Sequence, residues 1–375
     1  MDDLINKKLT RLFSGYEKTA DLDDLHDEIF DDVKESAKDL QQKEHLSDEE
    51  AVDKAFLQMG DLTKVIDQIG EKKGNGTFKF NFHFLSQQDS EVVYEDEFAL
   101  DEIEKINLKF HSDAVKIIST DSDKLKLTQY KNPQTADDPI VQVSSQNGDL
   151  NIHLPEKKFS ISIGVFISTT RLPKLLIELP NSYKGTLNSD FGSGSMLVKG
   201  IKNHAAANFT FHSGSLKISN SVFSESGCSF HSGSLSVSDS LADYFGSDFS
   251  SGTLRLNNVT AKYDIKATSG TVRLNKITGA GSVNLSSGVV RADFKKVTGD
   301  LKLTALSGMI RAVLPSQDEF AFKLSAKTGT VRLKDVFDAP VDYDIESSSA
   351  KLGTVGEAKS YRLLSRVSSG TIVID

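Results

Sequence analysis

Three residues after the glycine in seven of nine copies of a recurring Ser/Thr-Gly pair, the chain carries Lys217, Ser236, Arg255, Arg273, Arg291, Arg311 and Arg332. A degenerate copy, Ser347-Ser348-Ser349, adds Lys351. If the copies stack as neighbouring strands, these side chains form one column. Like charges about 4.8 Å apart in water repel by roughly 1 kcal/mol per neighbouring pair. A neutral polar residue avoids that cost. Two roles fit the column. Acids in flanking columns, such as Asp293 or Asp335, offset its charge in a purely structural ladder. Alternatively, it binds a polyanion or an acidic surface: teichoic acid, lipid headgroups or the chain's own acidic N-terminal segment. The candidate ligand-binding residues are Lys217, Arg255, Arg273, Arg291, Arg311, Arg332 and Lys351.

The remaining constellations point away from catalysis. The Ser/Thr column (Ser193, Ser213, Ser232, Ser251, Ser269, Ser287, Ser307, Thr328) has no histidine beside most of its members. Stacked hydroxyls at a bend therefore read as a hydrogen-bond ladder rather than as nucleophiles. His212 and His231 share a position in adjacent copies, without the third ligand that a zinc site needs. The lone cysteine, Cys228, excludes an intramolecular disulfide and a Cys-based zinc site. A β-helical polysaccharide lyase or hydrolase would need clustered carboxylates or a Ca²⁺ site beside carbohydrate-stacking aromatics. Here the acids are scattered and Trp is absent. No Walker loop, dinucleotide fingerprint or HExxH motif occurs. The expectation is a non-enzyme with no catalytic residue, cofactor or metal.

The element that must position the cationic column is the repeat itself. Its glycines stand at 194, 214, 233, 252, 270, 288, 308, 329 and 370, with gaps of 20, 19, 19, 18, 18, 20, 21 and 41. A fixed period near 20 predicts a solenoid whose coils share one core, and the degenerate copy at 347–352 fills the double gap. Two residues after the glycine come Leu216, Leu235, Leu254, Val272, Val290, Ile310 and Val331. Three before it come Phe191, Phe211, Phe230 and Phe249, followed by smaller residues. These alternate positions point inward from two strands flanking a Ser-Gly bend, and Cys228 falls on the same inward face. The position three after the glycine must then point outward. Upstream, strand signals appear at 78–84, 105–110, 114–119, 124–129, 149–154 and 160–167.

Residues 1–73 are different in kind. They hold 20 Asp/Glu and 11 Lys/Arg, a net of −9 that equals the charge of the whole chain, so residues 74–375 are neutral. That balance disfavours broad nucleic-acid binding, which requires a basic excess. Leu22, Leu25, Ile29 and Val33 line one face of a helix. Ser47-Asp48-Glu49-Glu50 is a capping box opening another helix, which carries Ala51, Ala55, Phe56 and Met59 and stops at Gly60. Asp61 caps a last helix with Leu62, Val65, Ile66 and Ile69. Gly70-Glu71-Lys72-Lys73-Gly74-Asn75-Gly76-Thr77 reads as a linker. The N-terminus lacks the apolar core of a signal peptide, and no stretch is apolar enough for a membrane span.

The phrase Leu46-Ser47-Asp48-Glu49-Glu50-Ala51, followed by Met59-Gly60-Asp61-Leu62, resembles the HAAS-type α-helical signalling domain of Gram-positive bacteria. The family commonly has Pro where Leu62 stands. That resemblance implies a protein partner for the helices, such as a regulator. Ile177-Glu178-Leu179-Pro180 followed by the Ser-Gly coils resembles the bacterial "putative adhesin" β-solenoid domain, over about residues 96–375. Some relatives of that family belong to cell-envelope stress responses, including the Lia system.

These readings predict a mainly β chain: a single-stranded β-helix (β-solenoid) with coils of about 20 residues, preceded by a small α-helical bundle. The expected domains are a helical one at 1–70, a linker at 71–77, an irregular β region at 78–189 and regular coils at 190–375. The expected role is a binding or signalling scaffold linked to cell-envelope stress. The alternative is a surface adhesin or a binder of teichoic acid or polysaccharide. The expected location is the cytoplasm or the inner membrane face, unless a non-standard route exports the chain. No nucleic-acid partner is expected. The uncapped sequence at Ser369-Gly370-Thr371-Ile372-Val373-Ile374-Asp375 predicts self-association through an open C-terminal solenoid edge.

Overall fold

The computed structural model describes residues 1–14, 16, 26, 29–30, 33–34, 37–38, 40–41, 46–59, 91–130, 139–155, 174–202 and 205–375. Among them no helix is long and apolar enough to cross a membrane. The chain divides into two compact units, whose described residues end at Met59 and begin again at Glu91.

Among the described residues the first unit has two uninterrupted short helices, α1 (Asp2–Phe13) and α2 (Asp48–Met59), with helical residues between them at 29–30, 33–34, 37–38 and 40–41. Ile5 and Leu9 of α1 and Ala51, Val52 and Ala55 of α2 are buried in one apolar cluster with Ile29, Val33, Ala37 and Leu40. Ile29 and Val33 thus keep the predicted apolar face, while Leu22 and Leu25 lie outside the described residues. The capping box forms as its sequence dictates. The Ser47 amide donates to Glu50 Oε2 (3.0 Å) and the Glu50 amide donates to Ser47 Oγ (3.3 Å). Hydrogen bonds from the Ser47 hydroxyl and amide hold the Glu50 carboxyl below its ordinary range. The predicted helix after Asp61, the linker and the strands at 78–84 and 160–167 lie outside the described residues.

The second unit is mainly β and solenoid-like. It opens with β1 (Val92–Ala99), β2 (Lys105–Phe110), β3 (Ala114–Thr120), β4 (Lys124–Tyr130), β5 (Gln142–Gln146), β6 (Asp149–His153) and β7 (Leu175–Pro180). Pairs of strands on either side of a bend follow: β8 (Thr186–Phe191) with β9 (Ser195–Lys199), and β10 (Ala207–Phe211) with β11 (Ser215–Ser219). Next come β12 (Val222–Phe230) with β13 (Ser234–Ser238), and β14 (Leu241–Phe249) with β15 (Thr253–Asn257). Then β16 (Thr260–Val313) runs on as one extended ribbon. Strands before the bend pair only with strands before the bend, in parallel: Phe191, Phe211, Phe230 and Phe249 are successive partners. Strands after the bend do the same through Leu216, Leu235, Leu254 and Val272.

Alternation buries every second side chain, and identical residues then stack on one another. The phenylalanine rings form a continuous pile with centroids 4.8, 5.0, 4.7 and 4.5 Å apart from Phe110 through Phe249. Main-chain groups close the bends: the amides of Ser232, Ser251 and Ser269 donate to carbonyls of the copy before. Glycine is required there for two reasons. Gly252, Gly270, Gly288 and Gly308 have φ between +124° and +131°, and a Cβ on any of them would collide with the preceding copy's glycine carbonyl oxygen.

The stack begins earlier than the repeat suggests. β2 and β3 flank a first bend at Phe110-His111-Ser112-Asp113 and pair in parallel with β8 and β9, so Phe110 starts the ring pile. Antiparallel strands seal this end: β5 on β6, and β1 on β4 on β7.

The other end corrects two expectations. β17 (Phe320–Leu333) is followed by β18 (Val341–Glu346), β19 (Ala350–Val355) and β20 (Tyr361–Ile374). β20 is no open edge. It lies between β16 and β17, parallel to both, with Gly370 opposite Gly308 on one side and Gly329 on the other. Ile372 and Ile374 are fully buried, because an apolar strand with two neighbours removes more surface than an edge strand. The segment at 347–352 is no coil either: β19 runs antiparallel to both β17 and β18.

Candidate functional site

The cationic column is real over its middle and interrupted at both ends. Parallel register places Lys217 beside Ser236, Ser236 beside Arg255, and Arg255 beside Arg273. Arg291 and Arg311 continue it along β16, since Gly270, Gly288 and Gly308 lie one above another. The interposed β20 then separates Arg311 from Arg332 by Val373. The structure therefore brings together four consecutive arginines: Arg255, Arg273, Arg291 and Arg311. Arg291 and Arg311 are exposed, while Arg255 and Arg273 are half-buried along their stems. Lys217, beyond Ser236, and Arg332, beyond Val373, are exposed outliers.

Lys351 does not join the column. It sits on antiparallel β19, where its ammonium bonds Glu346 Oε1 at 2.6 Å and lies 4.8 Å from the centre of the Tyr343 ring. The degenerate Ser-Ser-Ser copy misled because a lysine three residues after a serine matches the repeat without sharing its strand direction.

An ion pair compensates the column at its far end. Arg311 donates through Nε and Nη2 to Asp375 Oδ2 at 2.8 and 2.7 Å, and Lys334 approaches Asp375 Oδ1 at 2.8 Å. Burial pulls the Asp375 carboxyl upward, but the hydrogen bonds from Lys334 and Arg311 outweigh it and leave it below its ordinary value. Among the described residues Asp375, and neither Asp293 nor Asp335, pairs with Arg311. On either side of Arg255 and Arg273 the outward residues are neutral: Thr253 and Thr271, then Asn257 and Asn275. Asn275 Nδ2 donates to Asn257 Oδ1 at 2.9 Å, so the amides bond to each other along the stack. A second amide ladder spans Asn151, Asn107, Asn188 and Asn208 on the other sheet, with steps of 3.0, 2.9 and 3.1 Å.

The remaining chemical candidates have structural places. Cys228 is buried, and burial pushes its thiol up to about 12, which leaves it protonated and unreactive at neutral pH. His212 and His231 stack with ring centres 5.0 Å apart. Sequence reasoning missed the first coil and Asp375. The first had a readable signal: Phe110-His111-Ser112-Asp113 copies Phe191-Gly192-Ser193-Gly194 with Asp in the glycine place. The second had none, because the pairing spans 64 residues.

Several crystal structures are similar to the chain at low identity. One is a "putative cell adhesion protein" from Clostridium sporogenes: 13% identity, TM-score 0.27, covering 76% of this chain and 99% of that one. Another is a "putative adhesin" from Parabacteroides distasonis: 12% identity, TM-score 0.44, covering 76% and 98%. A third is a "putative lipid binding protein" from the same organism: 14% identity, TM-score 0.40, covering 75% and 96%. None of the curated proteins matches the chain. The family model for Toastrack DUF4097 matches residues 103–375, and the chain belongs to that family.

Proposed function

We propose that this chain is a non-catalytic binding scaffold of the bacterial cell envelope, in which the arginine column holds a polyanion and the N-terminal helices engage a protein partner. One observation carries the first part. Arg255, Arg273 and Arg291 follow one another at strand spacing, the first two between threonines and asparagines and the third between Val289 and Asp293. Such a row concentrates positive potential that a bound anion would relieve. A linear phosphate polymer such as teichoic acid matches it, presenting charge after charge along one line. The underlying form is a single-stranded β-solenoid with coils of about 20 residues, supported by parallel partners 18 to 20 residues apart. The HAAS-like capping box supports the helices as a signalling module, which ties the scaffold to envelope stress.

The test is binding of fluorescent polyphosphate and purified wall teichoic acid, followed by anisotropy over a salt series. The triple variant Arg255→Ser/Arg273→Ser/Arg291→Ser should bind at least about tenfold more weakly and lose most of the salt dependence. Arg311 is left intact because it also holds Asp375, so its loss would disturb the closing strand. Equal binding by the triple variant, with its melting temperature unchanged, would reject the site. Protease digestion of the protein on intact host cells separates the placements: cleavage favours an exposed adhesin, protection an internal partner.

A further inference from the structure

The opposite sheet carries a second feature, distinct from the arginine column. Two adjoining grooves of about 550 and about 330 Å³ share Asp248 and Lys266 and lie on the outward face of the strands that precede the bends. Along their length one polar group recurs per strand. Thr210 pairs with Ser229, Ser229 with Asp248, and Asp248 with Lys266; farther on, Thr304 pairs with Arg366. At strand spacing the row from Thr210 to Arg366 is about 29 Å long.

Three features make this a built surface rather than a generic sheet face. Its side chains are held by one another: Lys266 pairs with Asp264 (3.0 Å), Ser282 donates to Asp264, Asn284 to Ser282 (3.1 Å), and Thr304 to Asn284 (2.6 Å). Fixed donors and acceptors lose little entropy when a ligand uses them. Second, Gly227 and Gly246 leave part of the floor without side chains, and Tyr244 leans over that gap, its ring carbon Cε1 3.3 Å from where a Gly246 Cβ would stand. A register shift between Ala242 and Tyr244 re-aims this tyrosine, which stays 39% exposed. Third, the charges balance, Asp248 and Asp264 against Lys266 and Arg366, so the groove offers a polyanion nothing that the arginine column does not offer better.

We propose that this groove binds an uncharged polysaccharide laid across the strands, with Tyr244 as the platform for one sugar ring. The spacing of about 4.8 Å between strands is close to the length of one pyranose unit, so each sugar meets a fresh hydrogen-bonding side chain. An aromatic ring over a glycine floor supplies the apolar face that the C–H side of a sugar requires.

Affinity electrophoresis of the full chain tests this, in gels containing a soluble β-glucan, a mannan or an α-glucan, with polyphosphate as a separate arm. Retardation is expected in at least one neutral gel. Tyr244→Ala should weaken it about tenfold and Tyr244→Phe should restore most of it. Asp248→Ala should weaken it less, and the triple arginine variant should match the parent. No retardation by any neutral polysaccharide overturns the proposal, as does equal retardation of Tyr244→Ala at unchanged melting temperature. Loss of neutral-glycan binding in the triple arginine variant overturns the separate site. The polyphosphate arm reports independently on the arginine column.

Discussion

Between Gly214 and Gly308 each copy of the repeat lies on the copy that precedes it in sequence, whereas at the far end β20 lies between β16 and β17, two segments that both come before it in the chain. In the first region the strand partners of successive copies lie about 20 residues apart. Such stacks gain stability coil by coil. In the second, the chain passes the place β20 will occupy, builds β17 and the β18–β19 hairpin, and returns to fill the gap. The closing contacts there are long-range, as in Arg311 with Asp375 across 64 residues. The same arrangement protects an exposed edge, because the parallel ladder ends against an antiparallel hairpin and not against solvent. It also limits the arginine column, since Val373 enters where another arginine would have stood.

The largest expected effect treats the two regions alike. Gly288→Ala places a Cβ against the Gly270 carbonyl at φ +130°, and Gly370→Ala places one against the Gly308 carbonyl at φ +137°. Each should cost about 4 kcal/mol or more, or abolish soluble expression, because collision and backbone strain act together. Urea unfolding of the purified variants measures it. A mild Gly370→Ala beside a severe Gly288→Ala would mean that β20 packs as a loose edge, and the interleaved order would be wrong.

The same comparison explains what could be read beforehand. Phe211, Phe230 and Phe249 announce their stacking because each contacts its own counterpart, so periodicity in sequence is periodicity in space. The arginines at 255, 273, 291 and 311 were legible for that reason. The order 308, 370, 329 was not, because the glycine pattern records which residues can sit at a bend and not which bends are adjacent. Lys351 shows the cost of trusting spacing alone. A Ser-Ser-Ala-Lys segment carries no mark of strand direction, and the antiparallel pairing is decided by the short turn between β18 and β19. The polar groove was hidden for another reason: Thr210, Asp248, Lys266 and Arg366 share a position but no chemical type. Asp113 escaped notice because it lacks the glycine that defines the other bends.

A smaller effect should separate the two regions. Ile374→Ala removes a fully buried side chain from β20 and should cost about 2–4 kcal/mol, as in any packed core. Asp375→Asn removes the carboxylate that Arg311 and Lys334 share, with an expected loss of about 1–3 kcal/mol. The folded carboxyl lies below its ordinary value, so its contribution is complete above the ordinary carboxylate range and fades as pH falls through the lowered value. The parent should therefore lose more stability than Asp375→Asn on acidification, and the two melting curves should converge in acid. Parallel curves from neutral pH to acid would show that the ion pair contributes nothing to the closure. No counterpart is expected for the neutral Asn257–Asn275 ladder in the middle.

The smallest effect probes slack within the regular region. In four successive copies the second corner takes a left-handed residue six after the glycine: Asn220 (φ 50°), Asp239 (φ 48°), Asn258 (φ 51°) and Lys276 (φ 53°). Asparagine and aspartate accept that conformation better than lysine, because their short polar side chains can hydrogen-bond to the nearby backbone. Their side chains also bond along the stack, Asn258 Nδ2 donating to Asp239 Oδ1 at 2.7 Å. Lys276→Asn supplies such a side chain and puts an amide in line with Asn258, so it should gain about 0.5–1 kcal/mol, or about 1–3 °C in melting temperature. Lys276→Val should lose a similar amount, because a β-branched residue tolerates the conformation least. Opposite signs for these two substitutions tie the effect to the backbone. Equal and small losses for both would instead mean that the lysine side chain, and not its φ angle, sets the stability of that corner.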